Sequence, residues 1–263
     1  MRKLAAAFLI AFLAHPAPIF AWGGPGHSLV ARIAEAQFTV AVRARVAAIL
    51  GPERPMRSVA SWADDVRRTR PQTAGWHFIN IPMTAQHLEM SRDCASGDCV
   101  IAKILDFRKI LKDPATAPEA RAEALMFLVH FIGDMHQPLH CGDKNDRGGN
   151  DIRVKLADRD TNLHSVWDSG ILARMGTEDQ LFPGLAAESA KRAKKWSKGT
   201  VEEWAQESYV KAKSKVYGKL PPAAPAALAV IDAKYEKMAN PIIREQLEKA
   251  GARLARVLNE TLQ

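Results

Sequence analysis

Residues 130 to 140, His-Phe-Ile-Gly-Asp-Met-His-Gln-Pro-Leu-His, set three imidazoles and one carboxylate around a proline. A helix turns by about 100° per residue, so His130 and Asp134 share one face and His136 lies roughly 240° away from His130. Proline lacks an amide hydrogen and disfavours helix in the residue before it. The helix is therefore expected to stop near Gln137, with His140 on the turn beyond. This gives a helical His–Asp pair with one further histidine at its exit, and it sets His136 aside as a supporting or surface residue. The same spacing returns at His164 and Asp168, in Asn-Leu-His-Ser-Val-Trp-Asp. One such pair is common on a helix surface, but two pairs flanking His140 point to a metal. Neutral imidazole and carboxylate suit zinc.

The rest of the chain reads as mostly helical. HSLVARIAEAQFTVAVRARVAAIL predicts one or two helices stopped by Gly51 and Pro52. TAPEARAEALMFLVHFIGDM predicts a largely buried helix opening on a capping box at Thr116 and Glu119, and a second box stands at Thr200 and Glu203. The tail from about Ala233 to Leu262 has helical spacing, with an interruption expected near Pro241. DIRVKL, residues 151 to 156, is the one good strand candidate and suits a short hairpin. The prolines at 221 to 225 read as a loop between helices. No repeat of 20 to 50 residues is present. The expectation is an all-α protein, a single mostly helical domain with at most a short β-hairpin.

Arg2 and Lys3 precede the apolar run LAAAFLIAFLA, which is too short to span a bilayer. Residues 1–21 are expected to be a secretory signal, cleaved after Ala21 to leave residues 22–263 beginning at Trp22. Ile19 is larger than the small residue usual at that point. With no later membrane span, the mature protein is expected to be periplasmic or secreted, without stable membrane insertion. Cys94 and Cys99 bracket a short polar loop. They suit a disulfide in an oxidising compartment, or a metal clip for which no second cysteine pair exists. Cys141 is left unassigned. The net charge of +8 suits a polyanionic partner but equally serves solubility.

Further ligand candidates lie upstream: Asp64 in SWADDVR, His77 in GWHFIN and His27 in WGGPGH. Asp65, one residue round the helix from Asp64, reads as a surface group or one supporting the ligands, and His87 as exposed. Together with FLVHFIGDMHQPLH, GGND and NLHSVWD, these motifs follow the order found in a known family. The sequence resembles the secreted zinc-dependent nucleases that prefer single strands, the fungal single-strand nucleases and the plant bifunctional nucleases. The resemblance covers most of residues 22–263; GGND alone would carry little weight.

That resemblance implies a helical fold of the phospholipase C/zinc nuclease type and three Zn2+ per chain. By carry-over, one zinc takes Asp64, His77, His130 and Asp134. A close neighbour takes the α-amine and carbonyl of Trp22, His27 and the shared Asp134, and the third takes His140, His164 and Asp168. A terminal amine, with a reference pKa of about 8 against about 10.4 for lysine, gives up its proton to zinc at modest cost. The implied activity is hydrolysis of single-stranded DNA and RNA to 5′-phosphorylated products, with 3′-nucleotidase activity on 3′-nucleotides, by a monomer. Asp64, Asp134 and Arg67 are the implied catalytic residues. Arg67 also matches the family's phosphate contact and Phe78 its base-stacking aromatic, each with a bland alternative: a helix cap and a core side chain. Asn80 stands where fungal and plant members usually carry a base-reading aspartate, so their base preference does not transfer. A zinc-dependent phospholipase C-like phosphodiesterase and a non-catalytic zinc-binding protein are the competing readings.

Overall fold

A computed structural model describes residues 22–223 and 227–263. The expected secretory signal at 1–21 lies outside the described residues. The N-terminal run resolves into two helices, α1 (Gly24–Glu35) and α2 (Val40–Leu50), the second closed by Gly51 at φ 96°. Short α3 (Trp62–Val66) and α4 (Met90–Asp93) lead to α5 (Val100–Lys112) and α6 (Pro118–Met135). Next come α7 (Leu163–Ser165), a π turn at Val166–Gly170, α8 (Ile171–Met175), α9 (Glu178–Trp196), α10 (Val201–Lys211) and α11 (Ala233–Thr261).

Helix α6 is the centre of the protein. Every residue from Ala124 to Met135 is buried, as expected of a helix that is apolar almost all round. Helices α1, α5 and α11 pack against it, and α11 is in turn flanked by α1 and α9. The ligand candidates His130 and Asp134 thus sit at the most enclosed end of the most enclosed helix. The helix ends at Met135 and Pro138 opens a 3-10 turn ending in His140, close to the expected break.

The hairpin exists. Strands β1 (Arg153–Leu156) and β2 (Arg159–Asn162) pair antiparallel, with Leu156 opposite Arg159 across a two-residue turn. A third strand, β3 (Ala229–Ile231), adds parallel to β1, so the sheet order is β2-β1-β3 and exceeds the expected hairpin by one strand. The loop around the prolines therefore delivers a strand before the last helix; its residues 224–226 lie outside the described residues.

Two local expectations need correction. Thr116 and Glu119 form no capping box: Pro118, with φ preset for the first helical position, moves the start to an Ala117 cap without a side-chain bond. The tail helix runs unbroken through Pro241. The predicted box at Thr200 and Glu203 is present, with both reciprocal bonds. Cys94 and Cys99 form a disulfide, and Cys141 is free, buried, and donates its thiol hydrogen to the Met135 carbonyl.

Candidate metal centre

Seven separate elements deliver the candidate ligands to one place. His27 comes from the first turn of α1, Asp64 from α3, and His77 from the end of a 3-10 turn at Pro71–His77. His130 and Asp134 come from α6, His140 from the turn after it, and His164 and Asp168 from α7 and the π turn. A π turn widens the helix locally and is frequent at functional sites. All eight side chains are buried, none more than 4% exposed as a residue.

These eight fall into three groups whose potential ligating atoms lie within 4.8 Å of one another: His27, Asp64 and His130; His77, His130 and Asp134; and His140, His164 and Asp168. The first two overlap at His130. Asp134 stands between them, with Oδ2 2.9 Å from His77 Nδ1 and 3.2 Å from His130 Nε2, and Oδ1 3.3 Å from His27 Nε2. Asp64 Oδ1 lies 3.7 Å from His130 Nε2. In the third group, Asp168 Oδ2 is 3.2 Å from His164 Nε2.

Backbone carbonyls orient the rings. Nδ1 of His130 donates to Ala60 O, that of His140 to His77 O, and that of His164 to Gly148 O, each at 2.8 Å. A carbonyl can only accept, so these rings carry their hydrogen on Nδ1 and turn the Nε2 lone pair inward, as metal-ligating histidines do. Nε2 of His140 and His164, Nε2 of His77, both ring nitrogens of His27 and Oδ1 of Asp134 are buried and without a hydrogen-bond partner. Buried polar atoms are rarely left so. A buried cluster of imidazole nitrogens and a carboxylate oxygen without partners fits a divalent cation.

For four of the rings the electrostatics agree with that fit, whereas His130 must give up a proton to a cation. Burial holds the His77 imidazole down at about 4 and His164 at about 3, and it lowers His27 and His140 as well. These rings are neutral, as ligands must be. Burial opposes a charge on His130 too, but the Asp134 and Asp64 carboxylates outweigh it and raise that ring to about 9. Burial pushes Asp168 well above the usual carboxylate range, although Gln137 donates to its Oδ1. A carboxylate in such a place is stabilised in its ionised form by a cation beside it.

Two supporting residues carry no signal that sequence reasoning could use. Gly133 lets the His27 ring lie against α6: a Cβ there would be 2.7 Å from His27 Nδ1. Gln137 bridges Asp168 and the Leu139 amide. His136 joins none of the three groups, yet it is no surface residue. It is fully buried, donates from Nδ1 to Ile132 O, and accepts on Nε2 from Arg253 at 2.8 Å. Burial and then the Arg253 charge keep it neutral. His87 and Asp65 are exposed.

Trp22 is buried beside the first turn of α1, and the Gly23 amide donates to Asp168 O. The start of the described chain thus sits against a candidate ligand. Arg67 donates to Asp64 Oδ1 at 2.6 Å. Arg67, half-buried Phe78 and exposed Asn80 line a cavity of about 180 Å³ whose floor includes His77, His140 and His164. Asp143, Arg147 and Asn150 also line it; Asn150 belongs to the GGND motif, whose residue types alone carry no sign of that place.

Residues 22–263 match the family described as S1/P1 Nuclease. Endonuclease 2 of Arabidopsis thaliana is 29% identical, over 94% of this chain and 93% of its own length. Nuclease P1 of Penicillium citrinum is 39% identical over 56% of this chain and 57% of its own, and Nuclease S1 of Aspergillus oryzae 36% over 58% and 55%. The aligned part thus spans little more than half the length of the fungal relatives. Across its whole described length, from the buried Trp22 to the end of α11, the chain belongs to the S1/P1 nuclease family.

Proposed function

We propose that this protein is an extracytoplasmic nuclease that binds three Zn2+ and hydrolyses single-stranded DNA and RNA to 5′-phosphorylated products, with 3′-nucleotidase activity. One observation carries the reading. Three groups of buried imidazole and carboxylate, with lone pairs turned inward, open onto a cavity that holds an arginine and an aromatic ring. The ligand assignment is the one given above for the family, with Trp22 contributing its freed amine and carbonyl. When bound, zinc supplies Lewis acidity toward phosphate oxygens and a water more acidic than bulk.

The chain's own groups do the rest. Asp64 and Asp134 bring negative charge to the cations, and Asp134 faces two groups at once. Arg67, fixed by Asp64, directs its planar fork toward the reacting phosphate and offsets the charge that grows there. Phe78, only half-buried, offers a face for an unstacked base, an interaction worth about 1–3 kcal/mol. A base held in a duplex cannot reach it without unstacking, which accounts for single-strand preference. Exposed Asn80 presents both donors and an acceptor to that base. The disulfide and the basic charge suit an exported enzyme acting on a polyanion as a monomer.

Metal analysis of the processed protein, with product analysis on denatured DNA, RNA and a 3′-mononucleotide, tests this. About three zinc per chain and 5′-phosphate ends are expected. Turnover of a choline phospholipid instead would favour the phospholipase C-like alternative, and metal binding without any turnover the non-catalytic one. The leader enters the same test. An amide nitrogen at Trp22 is a poor ligand, so protein carrying extra residues before Trp22 should hold about one zinc fewer and turn over slowly. Full activity and loading in that extended form would refute the role of the terminus.

A further inference from the structure

The loop from Asp143 to Asn150 holds a conformation that one of its residues should avoid. Asn145, Arg147, Gly148 and Gly149 all have positive φ, at 60°, 56°, 60° and 83°. Glycine and asparagine adopt that region readily, whereas the Cβ of an arginine opposes it. The surroundings fix the loop regardless. Asp143 Oδ1 accepts from the Asp146 and Gly148 amides, and Asp146 Oδ1 accepts from the Gly149 amide and the Tyr217 hydroxyl. Gly148 O in turn holds the His164 ring. An arginine kept in an unfavourable backbone region beside a site is an outlier that asks for a function.

Its side chain pairs with Asp151, but that contact does not account for the backbone. The ion pair with Asp151, at 3.4 Å and with both side chains more than half exposed, stabilises little. The other surroundings point to a ligand: Arg147 lines the same cavity as Arg67, Phe78 and the ligand histidines. The two arginines differ in depth. Arg67 is 15% exposed and bound to Asp64 at the floor, while Arg147 is 59% exposed at the rim. A mononucleotide brings one phosphate, for the floor. A chain brings further phosphates that must leave past the rim.

We infer that Arg147 binds a phosphate neighbouring the scissile one, so that the protein holds a nucleic-acid chain in preference to a mononucleotide. The inference rests on the nuclease reading above. Its side chain acts through charge and a forked donor set, and the rigid loop presents it without further ordering.

Arg147→Gly removes the guanidinium while suiting the backbone, so a folding defect is not expected. Binding of a fluorescent phosphorothioate deca-thymidylate is measured by anisotropy across a salt series. Arg147→Gly should weaken binding about fivefold or more and lower the salt slope by about 0.7, the share of one phosphate contact on a single strand. Its melting temperature and zinc content should match or exceed those of the parent. Arg147→Lys should recover most of the slope. In turnover, the ratio of oligonucleotide KM to 3′-mononucleotide KM should rise about fivefold, with KM changing more than kcat. Equal binding and slope in Arg147→Gly would overturn the assignment, and so would an equal loss on both substrates. Parent protein that fails to bind the oligonucleotide would overturn the substrate reading itself, and this assignment with it.

Discussion

Gly133 shows how much of this site depends on a single missing carbon. It precedes Asp134 on α6 and lies under the His27 ring, where a Cβ would come within 2.7 Å of Nδ1 and 3.0 Å of Cε1. Alanine favours helix over glycine by roughly 1 kcal/mol, which offsets part of the about 1–3 kcal/mol that crowding a buried ring costs, so Gly133→Ala should weaken the metal-free fold by no more than about 2 kcal/mol. It should displace His27, cost about one zinc per chain, and lower turnover of denatured DNA at least tenfold, on the order seen when a ligand loses its orientation. Metal analysis beside the melting temperature of the metal-free protein checks this; unchanged loading would reject it. Helical spacing makes the pairs His130–Asp134 and His164–Asp168 legible in the sequence, with His140 on the exit turn, whereas His27, Asp64 and His77 join them only through the resemblance of their motifs to the family. Gly133 was not legible, since its role exists only where α1 crosses α6. His136 was half legible. Helical angle excludes it from the groups, but Arg253, 117 residues away in sequence, decides that it is buried rather than exposed.

At the scale of elements, local rules worked where local chemistry had no competitor. Thr200 and Glu203 cap α10 as expected, while the similar pattern at Thr116 yields to Pro118. Pro241 does not stop α11, although it cannot donate to the Lys237 carbonyl. Lys237 is exposed, so water can serve that oxygen, and buried Ala239 and Ile243 hold the segment to the core. Strand β3 escaped notice because three residues give almost no period and their partner is β1, far back in the chain. Where α11 meets α9, Glu248 is 7% exposed. Burial, then the nearby Glu188 charge, raises its carboxyl to about 7 from an ordinary 4.5. The folded chain therefore binds this proton more tightly than the unfolded chain, and stability falls as pH rises from about 4.5 through 7. Glu248→Gln should leave stability at pH 4.5 nearly unchanged and raise it at pH 8 by about 1 kcal/mol, a figure reduced for partial solvation. Thermal melts at both pH values test this, and an equal shift at both would count against it.

For the whole molecule, the single helical domain could be read from the order of motifs and the absence of a linker, since α6 threads every part of the core. What could not be read is how the metal groups join. Candidate ligands come from both ends of the described chain's first two-thirds, so the proposed zinc ions would tie α1, α3, α6 and α7 together. Binding to the folded state alone adds several kcal/mol of stability, and for a chain this long 1 kcal/mol moves the midpoint by about 2–4 °C. Chelation should therefore lower the melting temperature by about 10 °C or more, and zinc should restore it; a midpoint that stays put would deny the ions any share in folding. His77 adds a consequence for how the ions arrive. Its imidazole faces Asp134 in one group, its carbonyl fixes His140 in another, and the Ile79 amide returns a bond to the His140 carbonyl. Neither compartment can slacken alone. Protein given too little zinc should fill these two groups together, and native mass spectra should be nearly bare of molecules holding a single ion.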